Sequence, residues 1–513
     1  MSRFKLLLVL ITHALMNMAA AEEDTASNQD ETSESVGVMS TSAGRNIDFI
    51  TANGTLNTKL IHNPFFLESM THFVREKIPS RIVHPKGTGG FGYFEVTHDI
   101  SNICKAKLFS EVGKKTPIGI RFSSTFAELG GSDGVRDNRG FAAKFYTEEG
   151  NFDIVAFSTP MFGIKDPLLF PSFVHSQQKS RATQTLDLNP LWDIATLHPE
   201  SFNALFVILG DRGIPYGFRH LAAFGIHTYQ VVNEAGESYF VRFHLIPDAG
   251  IQSLSNENAN QLGGLDPDFA VKDLYNAIDA GDYPSWTLGV QVLSTDDVKN
   301  ATFDVFDITK KLPEDQYPVN PVGKLVLNEN PRNFFADIEQ MAFCPGNLVP
   351  GILGSPDKLF EARVLAYRDA HNYRLGANFN KIKVNQPITT PSTYNRDGVP
   401  PVIDNEWDLP NYYPNSFNGP QPYMEENQVD LIEIYEEPAD NIKEISEMYN
   451  NEYTDDQKTR LIENIVASLG LTRKTLQERA LAVFEKISPD LSSRVSEGLQ
   501  QTTTTNITIT PLV

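Results

Sequence analysis

The segment Arg81-Ile82-Val83-His84-Pro85-Lys86-Gly87 sets a histidine between an arginine and a glycine-rich run, Gly87, Gly89, Gly90 and Gly92. Much farther along, Arg363, Tyr367 and His371 recur at four-residue spacing, with Arg374 just beyond. On a helix that spacing puts all three on one face. A lone histidine is ordinarily structural, but these flanks suit chemistry. Glycines let a planar ligand approach the backbone closely. The two segments offer an imidazole for one face of a flat cofactor, a phenol for the other, and arginines for its carboxylates. A phenol bound to ferric iron must lose its proton, and Arg363, one turn before Tyr367, is placed to stabilise the anion. Tyrosinate-ligated haem with a distal histidine is the arrangement these residues suggest.

The elements that must position them read as a barrel followed by helices. From residue 74 to about 321 the signals are mostly strand and turn. Gly140–Thr147 with Asn151–Ala156 reads as a hairpin, as does His227–Val232 with Ser238–Leu245, and Pro117–Ser124 is a further strand. Alternation puts Tyr239, Val241 and Phe243 on one face of a wall. Residues 322–435, rich in Pro and Asn, read as irregular chain wrapped over other structure, with one helix near Lys358–Arg368. Over 436–495 the period becomes helical. Asp455 is expected to cap a helix ended by Gly470, and Thr472 to open a second closed by Pro489. Residues 45–73 form an N-terminal arm, 22–44 an acidic segment expected to be disordered, and 496–513 a polar tail. There are no internal repeats.

In these motifs, in their order and in their spacing, the sequence resembles the haem catalase family from about Ile47 to about Pro489. The resemblance implies an α+β fold: an antiparallel eight-stranded β-barrel, a wrapping segment carrying the proximal haem helix, and a C-terminal helical domain. It implies haem b, with Tyr367 as the ligand of its iron and Arg363, His227, Asp357 and His371 as proximal support. Arg81, Arg121 and Arg374 match arginines that pair with the haem propionates, and Val83, Phe162, Phe170 and Phe343 match residues of the haem pocket. His84 matches the acid/base residue that takes a proton from peroxide and returns it to the departing oxygen. Ser123 matches the serine that fixes its tautomer. The implied activity is breakdown of hydrogen peroxide to water and oxygen, by a homotetramer.

The match has departures. Phe157 stands where the family carries the asparagine that orients peroxide, and a phenyl ring donates no hydrogen bond. Pro85 replaces a small residue and is expected to hold His84 in extended backbone. Leu365 and Arg368 are milder changes beside the axial ligand. Phe157 separates three readings: a working or weakened catalase, a haem-binding relative without dismutase activity, and one with altered peroxidase chemistry. A surface site for NADPH looks lost. Only Arg212 is kept, while Asn203, Val207, Gly210, Ala222, Ile246, Leu312 and Glu314 lack the required groups, so NADPH is not expected.

Composition bounds the rest. The 513 residues are 41% hydrophobic and 21% charged, an ordinary globular balance, with a formal charge of −22. An acidic chain opposes nucleic-acid binding, which rests on basic patches, and fits a small neutral substrate. Arg3 and Lys5, the apolar run Leu6–Ile11 and Ala19-Ala20-Ala21 read as a secretory signal peptide over 1–21. The run is too short for a membrane anchor. Sequons at Asn53, Asn300 and Asn506 agree with secretion as a glycoprotein. Thr510-Pro511-Leu512-Val513 is not a peroxisomal address. Two cysteines, Cys104 and Cys344, exclude a disulfide framework and are expected to be buried thiols.

Overall fold

Side-chain parity along three strands decides where a site can form. In the computed structural model, β2 (Lys115–Ser124), β3 (Arg139–Thr147) and β4 (Gly150–Phe157) pair in antiparallel register, with Ile120 opposite Ala143 and Ala143 opposite Ile154. Ile118, Ile120, Phe122, Phe141, Ala143, Phe145, Phe152, Ile154 and Ala156 all join one buried core. Strand side chains alternate faces. Arg121, Ser123, Ala142, Lys144, Asp153, Val155 and Phe157 therefore stand on the opposite face. Lys144 and Asp153 are cross-strand partners there. Lys144 Nζ donates to both carboxylate oxygens at 2.8 and 2.9 Å. The backbone N–H of Cys344 and the amide of Asn347 donate to the same carboxylate. Both side chains are buried, so this pair ties the overlying segment to the barrel hairpin.

The structure describes residues 37–56, 59–400, 405–424 and 428–502. The expected leader, the sequon at Asn506 and most of the acidic segment lie outside them. The chain divides into two units at Ile78. In the first, Asp48 and Asn63 cap the helices Phe49–Asn53 and Pro64–Phe73. Ser42 donates to the Glu68 carboxylate from both its backbone N–H and its hydroxyl, and Ser40 bridges Asn46. Residues 37–44, placed in the segment expected to be disordered, are instead structured, because Glu68 and a local β-bridge order the serines.

In the second unit, β1 (Gly87–Val96) pairs with β2 and with β9 (Asn320–Glu329). β8 (Ser285–Ser294) pairs with β9 and with β7 (Ser238–Pro247). The eighth wall position is a strand in two pieces, β5 (Ala223–Phe224) and β6 (Tyr229–Val232), both paired to β7. Phe224 also pairs with Phe157 of β4, which closes the ring. β10 (Ile352–Gly354) adds outside β6. This is the eight-stranded antiparallel barrel of an α+β fold. Two boundaries move. The barrel runs to Glu329 rather than 321, because Val322, Leu325 and Leu327 are buried in its core while the Asn/Pro-rich run starts only at 328. The helical layer draws on the barrel's span, since Trp192, Phe202 and Phe206 share one core with Ile445, Leu461, Phe484 and Val495.

Asp455–Leu469 is capped by Thr454 in a capping box with Gln457, one residue before the expected Asp455. Lys474–Ile487 follows Arg473 at its N-cap. Pro489 opens a further helix, Pro489–Thr502, as proline does at a first helical position. Leu491 and Val495 are buried by it, so the polar tail begins after 502 rather than at 496. No helix among the described residues is long and apolar enough to cross a membrane.

Candidate active site

The outer face of β2–β4 forms one wall of a cavity of about 790 Å³. His84 lines it from the turn before β1. Ser123 Oγ lies 3.0 Å from His84 Nδ1, leaving Nε2 for the cavity. A side chain at Gly140 would put its Cβ 2.8 Å from that Nδ1, so the imidazole packs on bare backbone. Burial, then the guanidinium groups of Arg121, Arg363 and Arg81, push the His84 pKa down to about 3. The ring is therefore a neutral base. Its backbone corrects the expectation drawn from Pro85: φ is +62°, in the left-handed region rather than extended. Hydrogen bonds override the preference. His84 N–H donates to Thr125 O at 2.8 Å, and Arg121 Nη2 donates to His84 O at 3.0 Å and Pro85 O at 3.2 Å. Such a conformation costs about 1–3 kcal/mol and persists only where its surroundings enforce it.

Phe157 projects from β4 into the same space. Its ring centroid is 5.8 Å from that of His84 and 5.2 Å from the guanidinium carbon of Arg363, so it touches both sides of the cavity. Phe162 packs against it at 5.6 Å and stacks on Phe170 at 6.4 Å. Val83 and Phe343 also line the cavity.

The opposite wall is the helix Lys358–Leu375, capped by Asp357, whose carboxylate accepts from Phe360 N–H. Arg363, Tyr367 and His371 share its inward face. Arg363 Nη2 donates to Val155 O at 2.9 Å and to the Tyr367 oxygen at 3.3 Å, and Nη1 donates to His227 Nε2 at 2.8 Å. With Nε2 accepting, His227 carries its proton on Nδ1 and donates it to Asp357 at 2.7 Å. Burial lowers the His227 pKa. It would raise that of Asp357, but attraction to His227 and hydrogen bonds from His227, Ser355 and Phe360 outweigh it and hold the carboxyl below its usual range. His227 reaches this position because the barrel wall is interrupted between β5 and β6, where Ile226 has φ +54°.

Arg81, Arg121 and Arg374 gather at the cavity, with a single carboxylate between two of them. Arg81 and Arg374 share one carboxylate, Glu339, at 3.2 and 2.8 Å. Burial, then Arg81, holds Arg121 well below its usual range. Among the described residues, Arg121 Nε, Arg374 Nη1 and His371 Nδ1 are buried with no hydrogen-bond partner. His371 Nε2 is 2.7 Å from Phe343 O, so Nδ1 is left as an acceptor. A buried polar group left unpaired costs about 1–3 kcal/mol. Orphaned guanidinium donors around a mostly apolar cavity fit an apolar group bearing carboxylates, as haem is. The structure brings Arg81, Val83, His84, Arg121, Ser123, Phe157, Phe162, Phe170, Phe343, Arg363, Tyr367, His371 and Arg374 to one cavity, with His227 and Asp357 behind Arg363 rather than on its wall. Sequence reasoning missed Glu339, Thr125 and Asn138. Only Asn138 had a cue, an amide in the charged run Arg136-Asp137-Asn138-Arg139 just before a strand.

Elsewhere, Val207, Gly210, Arg212, Leu312 and Glu314 line a smaller cavity of about 260 Å³. Asn203 spends its amide on Thr309 O, Ala222 is buried and Ile246 half-buried. Asn53 and Asn300 are exposed. Cys104 and Cys344 are buried free thiols.

The family model described as Catalase matches residues 40–419, and one described as Catalase-related immune-responsive matches 436–499. The chain is 44% identical to catalase from Sus scrofa over 465 residues, 89% of this chain and 88% of that one. It is 41% identical to catalase from Drosophila melanogaster over 497 residues, 93% and 98% of the two chains. Among solved structures, a bacterial catalase superposes with a TM-score of 0.86 at 34% identity, covering 93% of this chain and 99% of the other. Catalase A from Saccharomyces cerevisiae gives 0.83 at 36% identity, covering 90% and 99%. Sequence, barrel and the two-sided cavity agree, and the chain belongs to the catalase family.

Proposed function

We propose that the protein breaks down hydrogen peroxide to water and oxygen at a haem b ligated by Tyr367. The observation that carries this is a neutral imidazole tethered by Ser123, facing the same cavity as a phenol hydrogen-bonded by Arg363. When bound, the haem iron supplies the redox chemistry of O–O cleavage. The chain supplies the rest. His84 Nε2 accepts a proton from one peroxide oxygen and returns it to the departing one. Arg363, backed by His227 and Asp357, holds positive charge against the Tyr367 oxygen. Arg81, Arg121 and Arg374 receive the propionates, and the aromatic approach of Phe162 and Phe170 limits entry to small molecules.

Assembly as a homotetramer is part of the proposal. Trp407 and Met424 are 92% and 95% exposed in the wrapping segment, and unburied apolar side chains of this kind suit subunit contacts. Export through the leader at 1–21, with glycans on Asn53, Asn300 and Asn506, completes the reading, and the exposure of the first two supports it. Purified, haem-loaded protein should evolve oxygen from peroxide and elute as four chains by light scattering. Absence of oxygen evolution from fully loaded protein overturns the activity, and a monomer overturns the assembly.

Phe157 sets the expected speed. Restoring an amide with Phe157→Asn should quicken the first peroxide step, by less than the roughly 10²–10³ that a sole preorganised donor contributes if another group of the cavity already donates. Stopped-flow loss of the ferric Soret band measures it. An unchanged rate would show that the ring costs the reaction nothing.

A further inference from the structure

The amide absent from position 157 has a counterpart elsewhere on the cavity wall. Asn138, immediately before β3, lines the same cavity as His84 and Phe157. Its backbone is tied to the distal side: Thr125 donates to Asn138 O from its N–H at 3.1 Å and from its hydroxyl at 2.8 Å, and Thr125 O receives the His84 N–H. The orientation of its side chain is fixed as well. Ser158 Oγ accepts the Arg139 N–H at 2.9 Å, so its own hydrogen goes to Asn138 Oδ1 at 2.8 Å. That bond assigns the oxygen end of the amide. The other end, Nδ2, makes no hydrogen bond to any described residue. Next to Ser158, the hydroxyl of Thr159 is buried on the same cavity without a partner. A half-buried amide clamped by its oxygen, with both N–H groups unspent on a cavity that also holds a second unpaired polar group, is a donor waiting for a ligand.

We propose that Asn138 is the peroxide-positioning residue of this distal cavity, its Nδ2 donating to the peroxide oxygen while His84 exchanges the proton. The proposal rests on the peroxide reading above and names the residue that serves it where Phe157 cannot. Ser158 acts through Asn138, as a positioning residue that keeps the donor end of the amide turned inward.

Cyanide binding to the ferric, haem-loaded protein tests the donor independently of turnover. Asn138→Leu keeps the size and removes both N–H groups. Its cyanide affinity, read by Soret titration, should fall about tenfold or more, the usual weight of a hydrogen bond to a charged ligand. The first peroxide step should slow by a similar factor at unchanged haem content. Phe157→Asn should raise cyanide affinity more in the Asn138→Leu background than in the unmodified protein, because there it replaces the missing donor, whereas a merely structural role for Asn138 gives equal gains in both. Should the leucine variant fold poorly, Asn138→Ala removes the donor without crowding. Loaded, folded variants with unchanged cyanide affinity and unchanged peroxide rate overturn the proposal. A cyanide effect in a protein that evolves no oxygen would instead leave the donor standing and remove the peroxide reading.

Discussion

Replacing His84 with alanine should lower the rate of peroxide breakdown by about 10²–10⁴-fold, the span that a positioned acid/base group contributes. Haem content should stay unchanged, because nothing on the Lys358–Leu375 side depends on this ring. The unmodified protein should also keep a flat rate from about pH 5 upward. Deprotonation of His84 is complete above its depressed pKa of about 3, so raising the pH adds no further base. A titration near the ordinary histidine value in the pH–rate profile would mean that the imidazole is solvated and that the arginines around it do not act as described. Stopped-flow measurement across that range gives both the loss and the profile.

Tyr367→Phe should have an effect of the same order on haem retention. The substitution keeps the ring that packs in the proximal cluster and deletes the oxygen that meets Arg363. Loss of a group that merely orients a metal ligand costs about 10–100-fold in affinity, so loss of the ligand itself should exceed about 100-fold. Haem content after gel filtration and the position of the Soret band report it, with far-ultraviolet dichroism confirming that the barrel persists. If the variant retains haem with the same spectrum, the axial ligand is another residue.

The proximal face of this site was legible in the four-residue step from Arg363 to Tyr367 to His371. Arg121, Ser123 and Phe157 were legible only through the resemblance to catalases, and the structure supplies the physical reason for their placement: the period of two in their strands separates core side chains from cavity side chains. What stayed hidden depends on contacts between distant segments. Glu339 bridges Arg81 and Arg374, and no local pattern announces a carboxylate shared in that way. The left-handed backbone of His84 runs against the preference that Pro85 imposes, because Thr125 and Arg121 hold it. Proline at 489 was ambiguous for a related reason, since the same residue that ends one helix begins the next. The barrel ends past the expected boundary at 321 because Pro321 sits inside β9, a strand pinned by Val322, Leu325 and Leu327.

The interruption between β5 and β6 has a mechanical meaning. A closed ring of strands has no free edge, and its backbone hydrogen bonds resist local opening. This ring gives up a few of them at one place, and the chain uses the vacancy to push an imidazole outward between a carboxylate and a guanidinium. The charge that steadies the Tyr367 oxygen is thus anchored in the frame of the barrel rather than in a loop. Strain that spreads β4 from β7 would pull His227 from Arg363, weakening the grip on the phenol before the helix itself had moved. Integrity of the wall and electronic tuning of the proximal ligand are one property, held at one seam.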